Sequence, residues 1–539
     1  MRVLIANRGE IAARIGRALD ELGWTAQPIH ARGEAPQTPG SAELPGHGVA
    51  AYLDVEGIID PALATGCDAL HPGYGFLSES PELARACEGA GLIFVGPSPS
   101  ILSLFGDKGT ARDHAVSLDV PVMAATGASA TLEEVTELFS TYPDGIMIKA
   151  TSGGGGRGMR EVYRPEDLDE AYAACRSEAR RAFGGDTVYA ERLMTDAKHI
   201  EIQVLGDGTG AVTILGEREC SVQRRHQKIL EFAPSPSLND AERALLGDHA
   251  RRLITPLGYR GLATVEFLVS TASLGSTDGS GLDLAFIEVN PRVQVEHTVT
   301  EEVTGVDLVA AQLRVAAGAT LHDLALAEDR HPAPGMFAIQ SRVNAERIHA
   351  GMSVATTGTV SGLAWPEDTR VDTYLREGTV VDGTFDSLLA KVITRTEGSW
   401  REACADALAA VDHLTIRGVE TNTPLLRRLL TDPQVLDGSV TTAHLDAWLA
   451  REAEVQTPTR DDTHLNSPLP GTVVAVGAAP GDVIGTRTAA ITLEAMKMEH
   501  PVRPTTPSVL TELLVKVGDQ VAPGDVLAIL SPAHDHVEN

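Results

Sequence analysis

Basic residues are scarce in this chain: 44 Lys and Arg stand against 74 Asp and Glu, a formal net charge of −30 with histidines neutral. So acidic a surface opposes phosphate backbones and anionic lipid, which argues against nucleic-acid or membrane partners while leaving room for a local basic pocket. Cysteine is scarce as well. Cys67, Cys87, Cys175, Cys220 and Cys404 form no CxxC pair and no dense framework, so free, buried thiols in a reducing compartment are expected rather than disulfides or structural zinc. Aromatic residues make up 4% of the chain, leaving core building to Leu, Val, Ile and Ala. No apolar run approaches a membrane span, and Met1 to Ala6 passes straight into Asn-Arg-Gly-Glu without the parts of a signal peptide. The expected location is cytoplasmic.

What is present is an ordinary globular composition, 43% hydrophobic and 22% charged over 539 residues, enough for about three to four domains. RVLIA at 2–6 reads as a buried strand, and Gly9 opens a helical pattern through Ile11, Ile15 and Leu19. Strand, glycine turn and helix in that order predict an α/β domain of nucleotide-binding type. ALHPGYGFLSE at 69–79 predicts a tight loop exposing His71 and Tyr74 at a strand end. IMIKA at 146–150 is a strand, SGGGGRGM at 152–159 a glycine loop, and 164–180 a helix. Strands near 200–205, 211–216, 262–269 and 284–289 point to an α+β region with antiparallel sheet. A third region, about 335–447, mixes strands with helices at 400–412 and 423–430. Residues 450–466 are polar and read as a linker. Beyond it, PLPGTVVAVGAAPGDVIG at 468–485 is echoed by SVLTELLVKVGDQVAPGDVLAIL at 508–530, which predicts two similar β halves in a small flattened barrel. EAMKMEH at 494–500, with Lys497 near its centre, falls between the halves at an expected hairpin tip.

Four consecutive glycines, Gly153 to Gly156, suit a backbone that closely approaches a polyphosphate, although a flexible surface loop has the same composition. Lys149 at the end of the preceding strand and Lys108 in GDK are candidate phosphate ligands. Glu266 in GLATVEFLV and Glu288 in AFIEVNPR each interrupt an apolar run. Buried carboxylates need either salt-bridge partners or a shared divalent cation, and with ATP as substrate Mg²⁺ is the stronger reading, with Asn290 adding an oxygen. Arg292 offers a fork for a small oxyanion, and Glu296 a proton acceptor. The basic run Arg224, Arg225, His226, Lys228 reads either as a solvated strand or as the lining of an anionic substrate cavity.

ANRGEIA at 6–12, HPGYGFLSE at 71–79, KATSGGGGRGM at 149–159, the QRRHQK run and IEVNPRVQVEHTVTE together resemble biotin carboxylase from residue 1 to about 447, and EAMKMEH with its flanking repeats resembles the biotin carboxyl carrier domain over 467–532. The fold class implied is mixed α/β and α+β: an ATP-grasp body followed by a small all-β, lipoyl-like biotinyl domain. The boundaries expected are 1–108 for an N-terminal domain, 109–330 for the ATP-grasp domain with its glycine-rich lid, 331–449 for a C-terminal domain, 450–466 for the linker and 467–532 for the carrier.

Through the matching motifs, the resemblance implies ATP contacts from Lys108, Lys149, Gly154, Gly155, Glu191, His199, Gln223 and His226. Glu266, Glu288 and Asn290 would hold Mg²⁺, with Mn²⁺ as a substitute. Arg292, Gln294, Val295 and Lys228 would bind bicarbonate, and Glu296 would be its general base. Arg342 would steady the biotin enolate, Tyr74 would lie by the ureido ring, and a biotin protein ligase would attach biotin to Lys497. The activity implied is ATP-dependent carboxylation of that biotin through carboxyphosphate. Carboxybiotin would then pass to a carboxyltransferase, either a separate subunit or a portion outside this sequence, with acyl-CoA the preferred acceptor and pyruvate and urea open, and the body is expected to form a homodimer or larger complex. Another ATP-grasp ligase and a non-catalytic carrier subunit are the competing classes. Arg192 and Phe232 depart from the family pattern, in which lysine and glutamate are common at those positions.

Overall fold

A computed structural model describes residues 1–151, 158–183, 185–275, 281–349, 352–456, 463–469, 471–486, 488–495, 498–522 and 524–533. The chain divides into two units: Met1–Met147, Glu161–Leu168 and Tyr189–Glu452 form the first, and Ile148–Arg160, Asp169–Val188 and Ala453–Asn539 the second.

The first unit opens with a five-stranded parallel sheet. Strand Arg2–Ile5 sits at its centre, flanked by Thr25–Arg32 and Ala69–His71, with Ala42–His47 and Ile93–Phe94 at the edges. Helix Gly9–Glu21 turns Ile11, Ile15, Ala18 and Leu19 inward, the spacing of one helical face. Helices Val55–Ala64 and Pro81–Gly89 start where Asp54 and Ser80 accept the free N–H of Gly57 and Leu83. The loop after His71 is pinned by Asn7, whose amide donates to the carbonyls of Pro72 (2.7 Å) and Tyr74 (2.8 Å). Gly73 between them has φ +65°, and a Cβ there would meet the Asn7 amide at 2.8 Å, so glycine is required. This loop corrects one expectation: His71 is fully buried, its Nδ1 accepting from Gly73 N at 3.0 Å, because the turn folds the imidazole inward. Burial pushes its pKa down to about 3, so it is neutral.

The rest of the first unit is built on an eight-stranded sheet whose neighbours all pair antiparallel. Its order is Leu284–Asn290, Arg260–Ser270, Ala197–Asp207, Val212–Arg224, Gln227–Ala233, Met336–Asn344, Leu388–Glu397, Arg370–Thr373. One buried cluster contains Val265, Phe267 and Phe286 from these strands with Leu246, Leu253 and Ile254 of helix Asp240–Ile254. A second cluster packs Ile339, Val343 and Val392 against helices Trp400–His413 and Thr423–Leu429. Phe232, the departure from the family pattern, belongs there, its ring 4.9 Å from that of Trp400. Arg192 makes two hydrogen bonds to the Asp283 carboxylate, at 3.2 and 2.9 Å.

In the second unit, helix Leu168–Phe183 lays Cys175 against strand Ile146–Ala150, Sγ to the Ile148 carbonyl at 3.6 Å. The C-terminal part is two four-stranded sheets, His464–Asn466, Val526–Pro532, Ser508–Leu513, Val483–Ile484 and Met498–Val502, Ile491–Ala495, Gly471–Val476, Gln520–Val521. Each sequence repeat lends its short middle strand to the other half: Val483–Ile484 pairs with the second repeat and Gln520–Val521 with the first. That exchange is the structural counterpart of the repeated text. The polar 450–466 segment is not all linker, because helix His444–Gln456 runs into it and His464–Asn466 joins a sheet. Leu465, buried, pairs with Ala528 of strand Val526–Pro532. All five cysteines are free and buried. Among the described residues no helix is long and apolar enough to cross a membrane.

Candidate active site

Register builds the site. Directly opposed residues of an antiparallel sheet point to the same face, and the pairings Glu288↔Glu266, Glu266↔Glu201 and Glu201↔Arg218 set four charged residues in one row across four strands. The register shifts immediately after Glu266, so that Phe267 pairs with Phe286 and Ile287 is the extra residue. Such a bulge re-aims the neighbouring side chains, here keeping Glu288 opposite Glu266 while both phenylalanines stay in the core.

Lys228, across from Gln223 near the hairpin end of Gln227–Ala233, extends over this row. Its ammonium touches Glu201, lies 2.6 Å from Glu296 Oε1 and 3.3 Å from Glu266 Oε1. Glu296 Oε2 accepts from Arg342 Nη2 at 3.1 Å, and Arg342 also ion-pairs with Glu231. Arg218, fully buried, is satisfied by Glu201 (3.0 Å), Gln203 (2.7 Å), Thr264 (2.9 Å) and Thr300 (3.0 Å). Four carboxylates, Glu201, Glu231, Glu266 and Glu296, thus share three fixed cations, Lys228, Arg218 and Arg342.

The negative surplus divides the acids. Burial alone would push every one of them up; Lys228 and His199 overcome it at Glu266, and Lys228, Arg342 and Arg218 overcome it at Glu296, so both lie well below the usual carboxylate range. For Glu201 and Glu231, burial and the neighbouring acids prevail and the pKa is raised. His199, despite burial that favours its neutral form, is raised by Glu266, whose Oε2 is 2.8 Å from Nε2.

The other end of the row is a rim. Asn290 Nδ2 bridges Glu266 (2.7 Å) and Glu288 (3.4 Å), and Lys108 Nζ lies 3.2 Å from Glu288 Oε2. Two carboxylates in register with an amide between them are the hard oxygen donors that Mg²⁺ requires, so the residues fit that ion. The Asn290 amide presents its nitrogen to the acids and its oxygen to Arg292 (3.0 Å); as a metal ligand it would turn over. Arg292 also reaches Gln294 (2.9 Å) and Glu79 (2.5 Å), the last residue of the HPGYGFLSE motif.

Of the residues expected from sequence, Lys108, His199, Lys228, Glu266, Glu288, Asn290, Arg292, Gln294, Glu296 and Arg342 therefore meet through direct side-chain contacts. Val295 takes part through its carbonyl, which accepts from Lys391 at 3.0 Å. Tyr74 is half-buried, its hydroxyl bonded to Glu10. Gln223 is buried near the end of its strand, His226 occupies the hairpin turn at φ +65°, and Glu191 lies half-buried on strand Val188–Arg192. Lys149 lies on Ile146–Ala150 within the second unit. Gly154, Gly155 and Lys497 are outside the described residues; strand pairing on either side of Lys497 ends at Ala495↔Met498. Sequence reasoning missed Glu201, Glu231 and Arg218. Glu201 in HIEIQVL and Glu231 in KILEFA carry the same signal as Glu266, a carboxylate inside an apolar strand.

This fold and site define an ATP-grasp body joined to a β carrier, and comparison with known proteins agrees. Four family models match the chain: "Biotin carboxylase, N-terminal domain" over residues 1–102, "Carbamoyl-phosphate synthase L chain, ATP binding domain" over 107–324, "Biotin carboxylase C-terminal domain" over 340–447 and "Biotin-requiring enzyme" over 463–530. Pyruvate carboxylase 1 of Caenorhabditis elegans is 42% identical over 461 residues, 83% of this chain and 38% of that protein. The structure of a single-chain, multi-domain long-chain acyl-CoA carboxylase matches with 38% identity and a TM-score of 0.71, covering 98% of this chain and 51% of the other. Biotin carboxylase of Campylobacter jejuni, solved as a β-γ-ATP complex, matches with 32% identity and a TM-score of 0.75, covering 83% of this chain and 98% of that one. The chain belongs to the biotin carboxylase family. It spans less than two-fifths of the length of the pyruvate carboxylase.

Proposed function

We propose that this chain carboxylates biotin with bicarbonate at the expense of ATP. The observation that carries the reading is the placement of Glu296 between Lys228 (2.6 Å) and Arg342 (3.1 Å), beside the Glu266–Asn290–Glu288 edge. Arg292 and Gln294, with Val295, hold bicarbonate. Glu296 accepts its proton, and the freed oxygen attacks the γ-phosphoryl of ATP, breaking its bond to ADP and leaving carboxyphosphate. Glu266 and Glu288 would hold Mg²⁺, which supplies neutralisation of the phosphate charge. Lys497 would hold biotin, which would supply a nucleophilic ureido nitrogen. Arg342 compensates negative charge on the acceptor, and Tyr74 lies beside it.

The depressed pKa of Glu296 shapes this reading. With Lys228 and Arg342 on both oxygens the carboxylate is ionised but a poor base. A bicarbonate anion that draws Lys228 toward itself loosens that hold, so basicity rises when substrate is present.

For the final acceptor, acyl-CoA is the class we favour, supported by the acyl-CoA carboxylase structure that aligns over 98% of the chain, body and carrier together. A carboxyltransferase would complete the reaction, a biotin protein ligase would load Lys497, and the body would pair with a second copy. The test is to mix biotinylated chain with its candidate transferase and compare acyl-CoA, pyruvate and 2-oxoglutarate as acceptors of labelled carboxylate. Label in acyl-CoA supports the reading, and label in a keto acid overturns the acceptor class while leaving biotin carboxylation in place.

A further inference from the structure

Behind the site lies a fully buried ammonium that the reaction sequence above does not use. Lys391, on strand Leu388–Glu397, is 0% exposed. Its Nζ donates to the Val295 carbonyl at 3.0 Å, ion-pairs with Glu10 Oε2 at 2.9 Å and lies 3.7 Å from Asp372. Glu10, 3% exposed, accepts the Tyr74 hydroxyl on its other oxygen. Lys391 is also the direct cross-strand neighbour of Arg342. Three separate pieces of the site therefore meet at one side chain: the Arg292–Glu296 segment through its backbone, Tyr74 through Glu10, and the strand that carries Arg342 through register.

A buried charge is costly unless its partners are fixed. Simple core stability would be served as well by apolar packing, whereas this ammonium, besides lying near Asp372, joins the Val295 carbonyl to Glu10, the partner of the Tyr74 hydroxyl. We infer that Lys391 is a positioning residue for carboxylation: through Val295 and Glu10 it sets the spacing between the bicarbonate-binding segment and Tyr74. The inference rests on the proposed biotin carboxylase activity, and it concerns the bicarbonate and biotin side of the site only. The expected nucleotide contacts Lys149, Glu191, His199 and Gln223 lie on other strands, so ATP binding is outside its reach.

The variants are K391M, which keeps length and removes charge, and K391M/E10Q, which also removes the acid left unpaired. The full biotinylated chain is assayed for bicarbonate-dependent ATP cleavage with free biotin added. The expected result is a rise of about 10-fold or more in KM for bicarbonate and for biotin in both variants, with KM for ATP within about twofold of wild type. Unchanged values, or an equal rise in KM for ATP, would overturn the inference. A second readout needs no turnover: with 3-fluorotyrosine incorporated, the resonance assigned to Tyr74 by its loss in Y74F shifts in K391M. A resonance that stays in place overturns the positioning role, whereas a wild-type chain without bicarbonate-dependent cleavage overturns the proposed function instead.

Discussion

The floor and the rim of the site use the same residue types in opposite ways. On the floor, Glu201, Glu266 and Glu296 are at most 6% exposed, and each touches Lys228, itself 13% exposed. At the rim, Glu288 is 34% and Lys108 59% exposed, and one ion pair joins them. Removing a cation from the floor strands several acids in a low dielectric, whereas the rim pair is screened by water and adds little. The floor's charges are thus already paired with one another before substrate arrives, and an incoming anion acts by competing for Lys228. The rim holds its acid beside a cation that a divalent ion can displace.

Several substitutions would sharpen or break this contrast. The largest effect is expected from E296Q, which keeps shape and removes the proposed proton acceptor: bicarbonate-dependent ATP cleavage falls by about 10²–10⁴ in kcat while KM for ATP is nearly unchanged. Rates within a few-fold of wild type would remove Glu296 from its role. Next, K228M strips the floor of its shared cation and destabilises the chain by about 3–5 kcal/mol in denaturant unfolding, whereas K108M at the rim costs within about 1 kcal/mol. Equal losses would erase the distinction.

A smaller change follows at the metal edge, where E288Q raises the Mg²⁺ concentration for half-maximal ATP cleavage by about 10-fold or more with little change in melting temperature. The smallest is a pH effect. Glu266 and Glu296 are depressed in the folded chain from the ordinary 4.5, so the unfolded state binds more protons there. Their stabilisation is complete above that value and is lost as pH falls through the folded-state pKa values. Glu201 and Glu231, raised by burial, act in the opposite sense and soften the slope. An E296Q chain should therefore lose less stability than wild type between about pH 5 and pH 3, and a steeper loss would contradict the assignment of charge.

Much of this site was legible as text. Glu266 and Glu288 each put a charge inside an apolar strand, and strand pairing sets them opposite one another; Lys228, Arg292 and Glu296 stand in the motifs that carry the family resemblance. What the text could not supply is which acids face one another. Glu201 carries no more signal than Glu266, yet it is opposite both Glu266 and Arg218 because of strand order in the sheet. Lys391 and Glu10 are over 380 residues apart in sequence and meet only through tertiary packing. His71 shows the limit of local reading: its loop chemistry predicts a turn, but Asn7, just after the first strand, decides that the turn closes inward. The linker was overextended for a related reason, since Leu465 finds its strand partner, Ala528, about 60 residues later.

The central claim is that the body and the carrier work on the same carboxyl group. It is tested most directly by ATP- and Mg²⁺-dependent transfer of labelled bicarbonate carbon onto the purified chain after biotin occupancy of Lys497 is confirmed. The account predicts acid-labile label on wild type, none on K497A, and a greatly reduced amount on E296Q. Fully biotinylated wild-type chain that acquires no label, even with its transferase partner present, would contradict it.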